Sequence, residues 1–131
     1  MKVIDASAAL EFLLHTSLGQ RVGAQIADPD EVLIAPHLID AEVSQGLRKF
    51  VSIGDISAER GRESLSEFLL LGIRRCEHTA LLARVWDLRS NTTAYDAMYL
   101  ALAEVFGAPL ITTDAKLERT PGHTAAVLTI R

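Results

Sequence analysis

The chain has 131 residues, of which 49% are hydrophobic, 23% charged and 5% aromatic; this balance fits one globular domain and excludes a disordered tail or low-complexity scaffold. Its formal net charge of −4, from 13 Lys and Arg against 17 Asp and Glu, is not the footprint of a protein that holds nucleic acid by bulk positive charge. The single cysteine, Cys76, excludes an internal disulfide and a cysteine-based zinc cluster, and no run of about 18 apolar residues marks a transmembrane helix.

The opening Met1-Lys2-Val3-Ile4-Asp5 lacks the pattern of a signal peptide, so a cytoplasmic setting is expected. Lys2–Asp5 reads as a short strand. Ala8–Thr16 follows as a helix with Leu10, Leu13 and Leu14 on one face, and Leu18–Ala27 as a second helix, stopped by Asp28-Pro29-Asp30. Val32–Ala35 is an apolar, β-favouring run, and Pro36 suits the first turn of a helix reaching about Val51. Gly54-Asp55 breaks that helix, and Ser57 is a good N-cap for the next, through about Leu71. Ile73–Glu77 is a weak strand. Thr79 is expected to cap a helix through about Ser90. Ala94–Gly107 is a strongly apolar helix with Gly107 as its terminator, and Leu110–Thr113 and Val127–Ile130 are strands. Strands alternating with helices predict a single α/β domain over residues 1–131, with a parallel sheet of about five strands covered on both faces. Ligands of such sheets bind at the carboxyl ends of the strands.

Two strands run into an aspartate, Asp5 and Asp114, which puts both carboxylates on that edge. Each also suits the N-cap of a following helix. Glu42 falls on the helical stripe Ile39, Glu42, Val43, Gly46 and Phe50, where a carboxylate is costly unless compensated; the alternative is a position at the margin of the core. Asp96 opens a helix whose only other non-hydrophobic residues are Glu104 and Gly107. Thr93-x-x-Asp96 has the form of a capping box, which leaves Asp96 as cap, ligand or both. Clustered carboxylates repel, and a cation relieves the repulsion. An all-oxygen donor set without paired cysteines points to a hard divalent ion, Mg²⁺ or Mn²⁺.

These residues resemble a PIN domain, specifically the toxin ribonucleases of VapBC toxin–antitoxin pairs. The match runs in order through Val3-Ile4-Asp5-Ala6-Ser7-Ala8, Asp40-Ala41-Glu42-Val43, the stretch Thr93 to Ala103, and Leu110-Ile111-Thr112-Thr113-Asp114-Ala115-Lys116-Leu117. It covers essentially the whole chain. The resemblance implies a sheet in strand order 3-2-1-4-5 and Mg²⁺- or Mn²⁺-dependent endonucleolytic cleavage of RNA (tRNA, rRNA or mRNA) that stops translation and growth. It also implies a homodimer and a small VapB-type antitoxin inserted into the active-site groove. In that scheme Asp5, Asp96 and Asp114 hold the principal metal. Glu42 ligates the same ion or a second one, or positions the attacking water. Ser7 and Thr112 orient carboxylates or bound water.

RNA drawn to an acidic pocket needs positive charge nearby, and Lys116, Arg119, Arg48 and Lys49 are the candidates. Arg74-Arg75 lies in the expected edge strand, where such charge is expected to deter edge pairing. His15, His37, His78 and His123 follow no ligand spacing. Competing α/β folds fit less well. A receiver domain needs paired acids after its first strand, and a haloacid-dehalogenase-type phosphatase needs Asp-x-Asp, whereas position 7 is Ser. No glycine-rich phosphate loop follows any strand. The rival from another class is a PIN fold kept as a protein-binding module without nuclease turnover.

Overall fold

The computed structural model describes all residues, 1–131. Five parallel strands form one sheet in the order β3-β2-β1-β4-β5. They are β1 (Lys2–Ile4), β2 (Leu33–Pro36), β3 (Arg74–Cys76), β4 (Leu110–Thr112) and β5 (Val127–Thr129). Seven α-helices connect them: α1 (Ala6–Leu13), α2 (Ser17–Ile26), α3 (Leu38–Ser52), α4 (Ala58–Leu70), α5 (Leu82–Asp87), α6 (Ala94–Phe106) and α7 (Ala115–Arg119). Right-handed crossovers explain the layering. The chain moves from β1 outward to β3 with α1–α4 packed together on one face, then returns past β1 to β4 with α5 and α6 on the other. The direction of travel reverses between β1 and β4, and that switch point is where such sheets open a crevice.

The central strands are apolar without alternation because both faces are covered. Val3, Ile4, Ile34, Leu110 and Ile111 are fully buried. Helix α6 is the central helix of its layer, with every residue from Ala97 to Ala103 buried. Gly107 ends it in the left-handed conformation (φ 59°), which a side chain adopts only with strain.

Several boundaries differ from expectation for local reasons. Asp5 lies outside β1; its carboxylate accepts the Ala8 N–H and starts α1 two residues earlier than the leucine pattern suggests. Thr16 caps α2 instead of ending α1. Pro36 pairs with Cys76 as the last residue of β2, and α3 begins only at Leu38. Residues 79–90 do not form one capped helix. Thr79–Leu81 is a 3₁₀ turn whose first N–H is taken by the Glu77 carboxylate (2.7 Å), and α5 covers only Leu82–Asp87. Helix α7 has no apolar stripe long enough to announce itself; Asp114 caps it, and its one buried residue, Leu117, anchors it to the core.

Helix α1 carries the first residues of the crevice, and its position is fixed by α2. At Gly19 the two helices approach so closely that an added Cβ would stand 2.0 Å from the Glu11 carbonyl oxygen. Backbone cannot yield as a flexible side chain can. Gly19→Ala should therefore destabilise the fold by about 1–3 kcal/mol, the usual cost of overpacking. Urea unfolding of the two proteins under identical conditions measures it; equal midpoints would mean that α1 and α2 are free to separate.

Candidate active site

The four acids singled out from sequence come from four different elements and line one cavity of about 110 Å³, together with Ser7 and Tyr99. Asp5 follows β1, Asp114 stands two residues beyond β4, Asp96 lies in the first turn of α6, and Glu42 projects from α3. Asp5 and Asp114 are N-caps as well: the Asp114 carboxylate accepts the Lys116 N–H at 2.9 Å. Capping and lining the crevice are therefore compatible roles.

Asp5 is the most constrained. Its carboxylate accepts hydrogen bonds from the Ser7 hydroxyl (2.7 Å), the Ala8 N–H (2.9 Å) and the Thr112 hydroxyl. Thr112 accepts the Asp114 N–H at 3.0 Å, and Ser7 accepts the Thr113 N–H at 3.1 Å. Two hydroxyls thus stitch the end of β1 to the turn that presents Asp114. The orienting role expected of Ser7 and Thr112 has this geometry behind it.

Glu42 is not on the buried stripe of α3. That stripe is Ile39, Val43 and Leu47, and Glu42 sits on its flank, half-buried. Its cost is met by the Tyr99 hydroxyl, which donates to it at 2.7 Å. Sequence reading missed Tyr99. The signal was a tyrosine one turn after Asp96 in an otherwise aliphatic helix, since a buried phenol needs an acceptor. Only one half of the expected capping box forms: the Thr93 hydroxyl accepts the Asp96 N–H (3.2 Å), while the Asp96 carboxylate turns to the cavity.

The electrostatics follow from this crowding. Burial pushes the Asp5 carboxyl from 3.8 up to about 6, against the pull of its three donors, and Asp96 adds to the rise. Burial and then Asp96 raise Glu42, although Tyr99 holds it down. Burial and then Asp114 raise Asp96, while Lys116 opposes the shift. Tyr99 is pushed up by its own burial and by Glu42, so it stays a proton donor. The acids feel one another, yet no three of the chain's Asp, Glu, His and Cys side chains are drawn in around a single point as a closed ligand set. The ring expected from sequence is lined but not closed. Its donors still suit a hard cation: all are carboxylate oxygens, and bringing them closer without a cation would strengthen a repulsion already visible in their shifts.

The expected basic residues divide. Lys116 is near enough to lower Asp96. Arg119 bends back to the Ala115 carbonyl of its own helix. Lys49 lines a groove that shares Glu42 with the acid cavity, whereas Arg48 lines a separate cleft between α3 and α4 with Arg62. On the edge strand β3, Arg75 pairs with Asp40 (2.8 Å) and lies over Phe68. No histidine lines the acid cavity.

A domain with this topology and these strand-end acids matches the PIN domain family model over residues 2–123, and the chain belongs to that family. Within it the chain falls among the VapC ribonucleases. It is 39% identical over 127 residues to Ribonuclease VapC12 of Mycobacterium tuberculosis, covering 97% of each chain. It is 38% identical over 120 residues to VapC ribonuclease Mb0985 of Mycobacterium bovis, covering 92% of this chain and 91% of that one. The fold superposes on VapBC2 from Rickettsia felis, solved bound to a promoter DNA fragment (TM-score 0.73, 15% identity, 99% and 98% coverage). It also superposes on Mycobacterium tuberculosis VapC20, described as a sarcin-ricin loop cleaving toxin (TM-score 0.71, 14% identity, 95% and 97% coverage).

The raised carboxyls predict an inverted pH dependence of stability. A folded-state value of about 6 for Asp5 against 3.8 means that the folded protein binds its proton more tightly than the unfolded chain. The associated stability is complete below about pH 4 and is lost as pH rises through 6, roughly 3 kcal/mol for a two-unit shift. Glu31, Glu77 and Glu104 are held below their usual 4.5, so their contribution fades only under more acidic conditions. In chelator the melting temperature should rise as pH is lowered from 7.5 to 5.5, and Asp96→Asn should raise it at pH 7.5. Scanning calorimetry across that range checks both; a melting temperature that falls over the same interval would contradict the raised carboxyls.

Proposed function

We propose that the acid cavity hydrolyses RNA phosphodiester bonds with a bound Mg²⁺ or Mn²⁺, making the chain an endoribonuclease toxin of the VapC type. The observation that carries the reading is the convergence of Asp5, Glu42, Asp96 and Asp114 on one small cavity at the β1–β4 switch point. These four residues would hold the ion, which supplies an activated water and neutralises charge on the phosphoryl group. The protein's own contribution is positional. Ser7 and Thr112 fix the Asp5 carboxylate so that it presents the same oxygens whether or not substrate is bound. Tyr99 keeps Glu42 at the rim of the cavity, where its carboxylate can hold a water or the ion. Lys116, exposed at the head of α7, supports a phosphate beside the acids. The protein-binding alternative gives no reason for four carboxylates to share one cavity, or for that cavity to raise the proton affinity of Asp5, Glu42 and Asp96.

Membership among the VapC ribonucleases supports a VapB-type antitoxin as partner. A homodimer is part of the same proposal, and Leu69 (70% exposed) and Leu70 (86% exposed), adjacent at the end of α4, are apolar side chains available to its interface. No helix is long and apolar enough to cross a membrane.

Asp96→Asn keeps an N-terminal polar group on α6 and removes one charge from the cavity. Cleavage of a quenched fluorescent RNA in Mg²⁺ should fall by at least about 100-fold, the scale of losing one group that stabilises developing charge. Excess chelator should abolish wild-type cleavage reversibly. Near-normal turnover by Asp96→Asn would refute the assignment. Light scattering should give twice the chain mass of 14.3 kDa, and a monomer at tens of micromolar would refute the dimer.

A further inference from the structure

A second cavity, about 460 Å³, opens directly beside the acid cavity and shares Glu42 with it. Its floor is one stripe of α3: Leu38, Glu42, Gln45 and Lys49, with Ala41 and Gly46 beside them. Its other wall is Tyr95, the residue before Asp96 at the head of α6. Tyr95 is 61% exposed although it belongs to the most buried helix of the fold. Gln45 and Lys49 are exposed as well. The Gln45 amide has no hydrogen-bond partner within the chain, and Lys49 forms no ion pair.

We infer that this groove is a nucleotide subsite, in which Tyr95 stacks the base next to the scissile phosphate, Gln45 reads its edge and Lys49 holds the following phosphate. The inference rests on the RNA-cleavage reading above and deepens it. Three features of the groove match three parts of a nucleotide. An accessible aromatic ring offers a stacking surface, which every base can use. A carboxamide presents a donor and an acceptor side by side, the pattern that pairs with a base edge. A lysine without a carboxylate partner offers its charge to a phosphate, as a point cation does. Their order matters equally. Tyr95 adjoins Asp96 in sequence, and Lys49 lies two turns of α3 beyond Glu42, roughly 10 Å along the axis. A strand whose phosphate meets the acids thus runs past the ring before it reaches the lysine. The groove's volume falls within the range of small-ligand sites. Stacking on Tyr95 requires an unstacked base, so the substrate segment is single-stranded or a loop. The net negative charge of the chain then stops being an objection: binding is assigned to one ring and a few local cations, not to a basic face.

The experiment uses a fluorescein-labelled single-stranded oligoribonucleotide of mixed sequence, in versions carrying one abasic position at a time. Affinity is read by anisotropy in chelator, and cleavage of the same oligonucleotides is read in Mn²⁺. Tyr95→Ala should weaken binding by about five- to a hundred-fold, the range for one base–aromatic stack, while Tyr95→Phe should bind as wild type does. One abasic position should cost the wild-type chain affinity and cost Tyr95→Ala nothing further. Lys49→Gln should reduce the slope of log K against log salt by about 0.7, one phosphate's share for a single strand. Equal affinities of wild type and Tyr95→Ala, with cleavage intact, would overturn the subsite alone and leave the groove to a protein partner. Tyr95-dependent binding without cleavage would overturn the nuclease reading and keep the subsite. Neither binding nor cleavage would overturn both.

Discussion

The buried carboxylate of Asp5 is the constraint on which the site depends. It sits where β1 becomes α1, is 5% exposed, and receives three hydrogen bonds, two from the first turn of α1 and one from the end of β4. A buried charge is tolerated only where its lone pairs are satisfied, so the position of Asp5 calls for a hydroxyl on the neighbouring strand and a second in the first turn of the following helix. Thr112 and Ser7 are those hydroxyls. Because each also accepts an N–H from the β4–α7 turn, the same bonds that satisfy Asp5 set the direction of Asp114. The two acids at the switch point are consequently one rigid unit, and the sheet supplies the precision.

Asp96 and Glu42 reach the cavity from opposite layers, and they are held by softer means. The Asp96 backbone N–H donates to the Thr93 cap while its carboxylate has no donor within the chain, and Glu42 is held by one phenol. Two of the carboxylates are thus fixed at the sheet and two are held from the helices. The four are not gathered into a closed ring: burial first, then the neighbouring carboxylate, raises Glu42 and Asp96 while the acids remain apart. The cavity carries a modest electrostatic strain, offset by the hydrophobic burial of β1, β4 and α6 around it.

Much of this was legible in the sequence because strand-end acids obey a simple geometry. Val3-Ile4 before Asp5 and Leu110–Thr113 before Asp114 mark strands by composition and the crevice by position. Gly107, Ser57 and Asp28-Pro29 mark helix ends through backbone chemistry that acts locally. Tertiary context overrode the rest. The stripe on α3 was mis-phased because Gly46 and Phe50 suit a buried face, while the helix rotates Leu47 inward to meet its neighbours. The 79–90 segment split because Glu77, outside the apparent helix, took the first N–H. Residues Tyr99 and Tyr95 look alike in a run of apolar letters; only the packing of α6 turns one to Glu42 and leaves the other in solvent.

The central claim is that the four carboxylates act together as one cation site. Ions that bind raised carboxyls must displace their protons, so calorimetric titration with Mn²⁺ in two buffers of different ionisation heat tests it directly. With Asp5 at about 6, binding at pH 6 should release protons, and the release should shrink towards zero by pH 8. Substituting any one acid by its amide should weaken binding and change the proton count. Mn²⁺ binding at pH 6 with no proton release, or binding untouched when Asp5 and Asp96 are both replaced by Asn, would contradict the account.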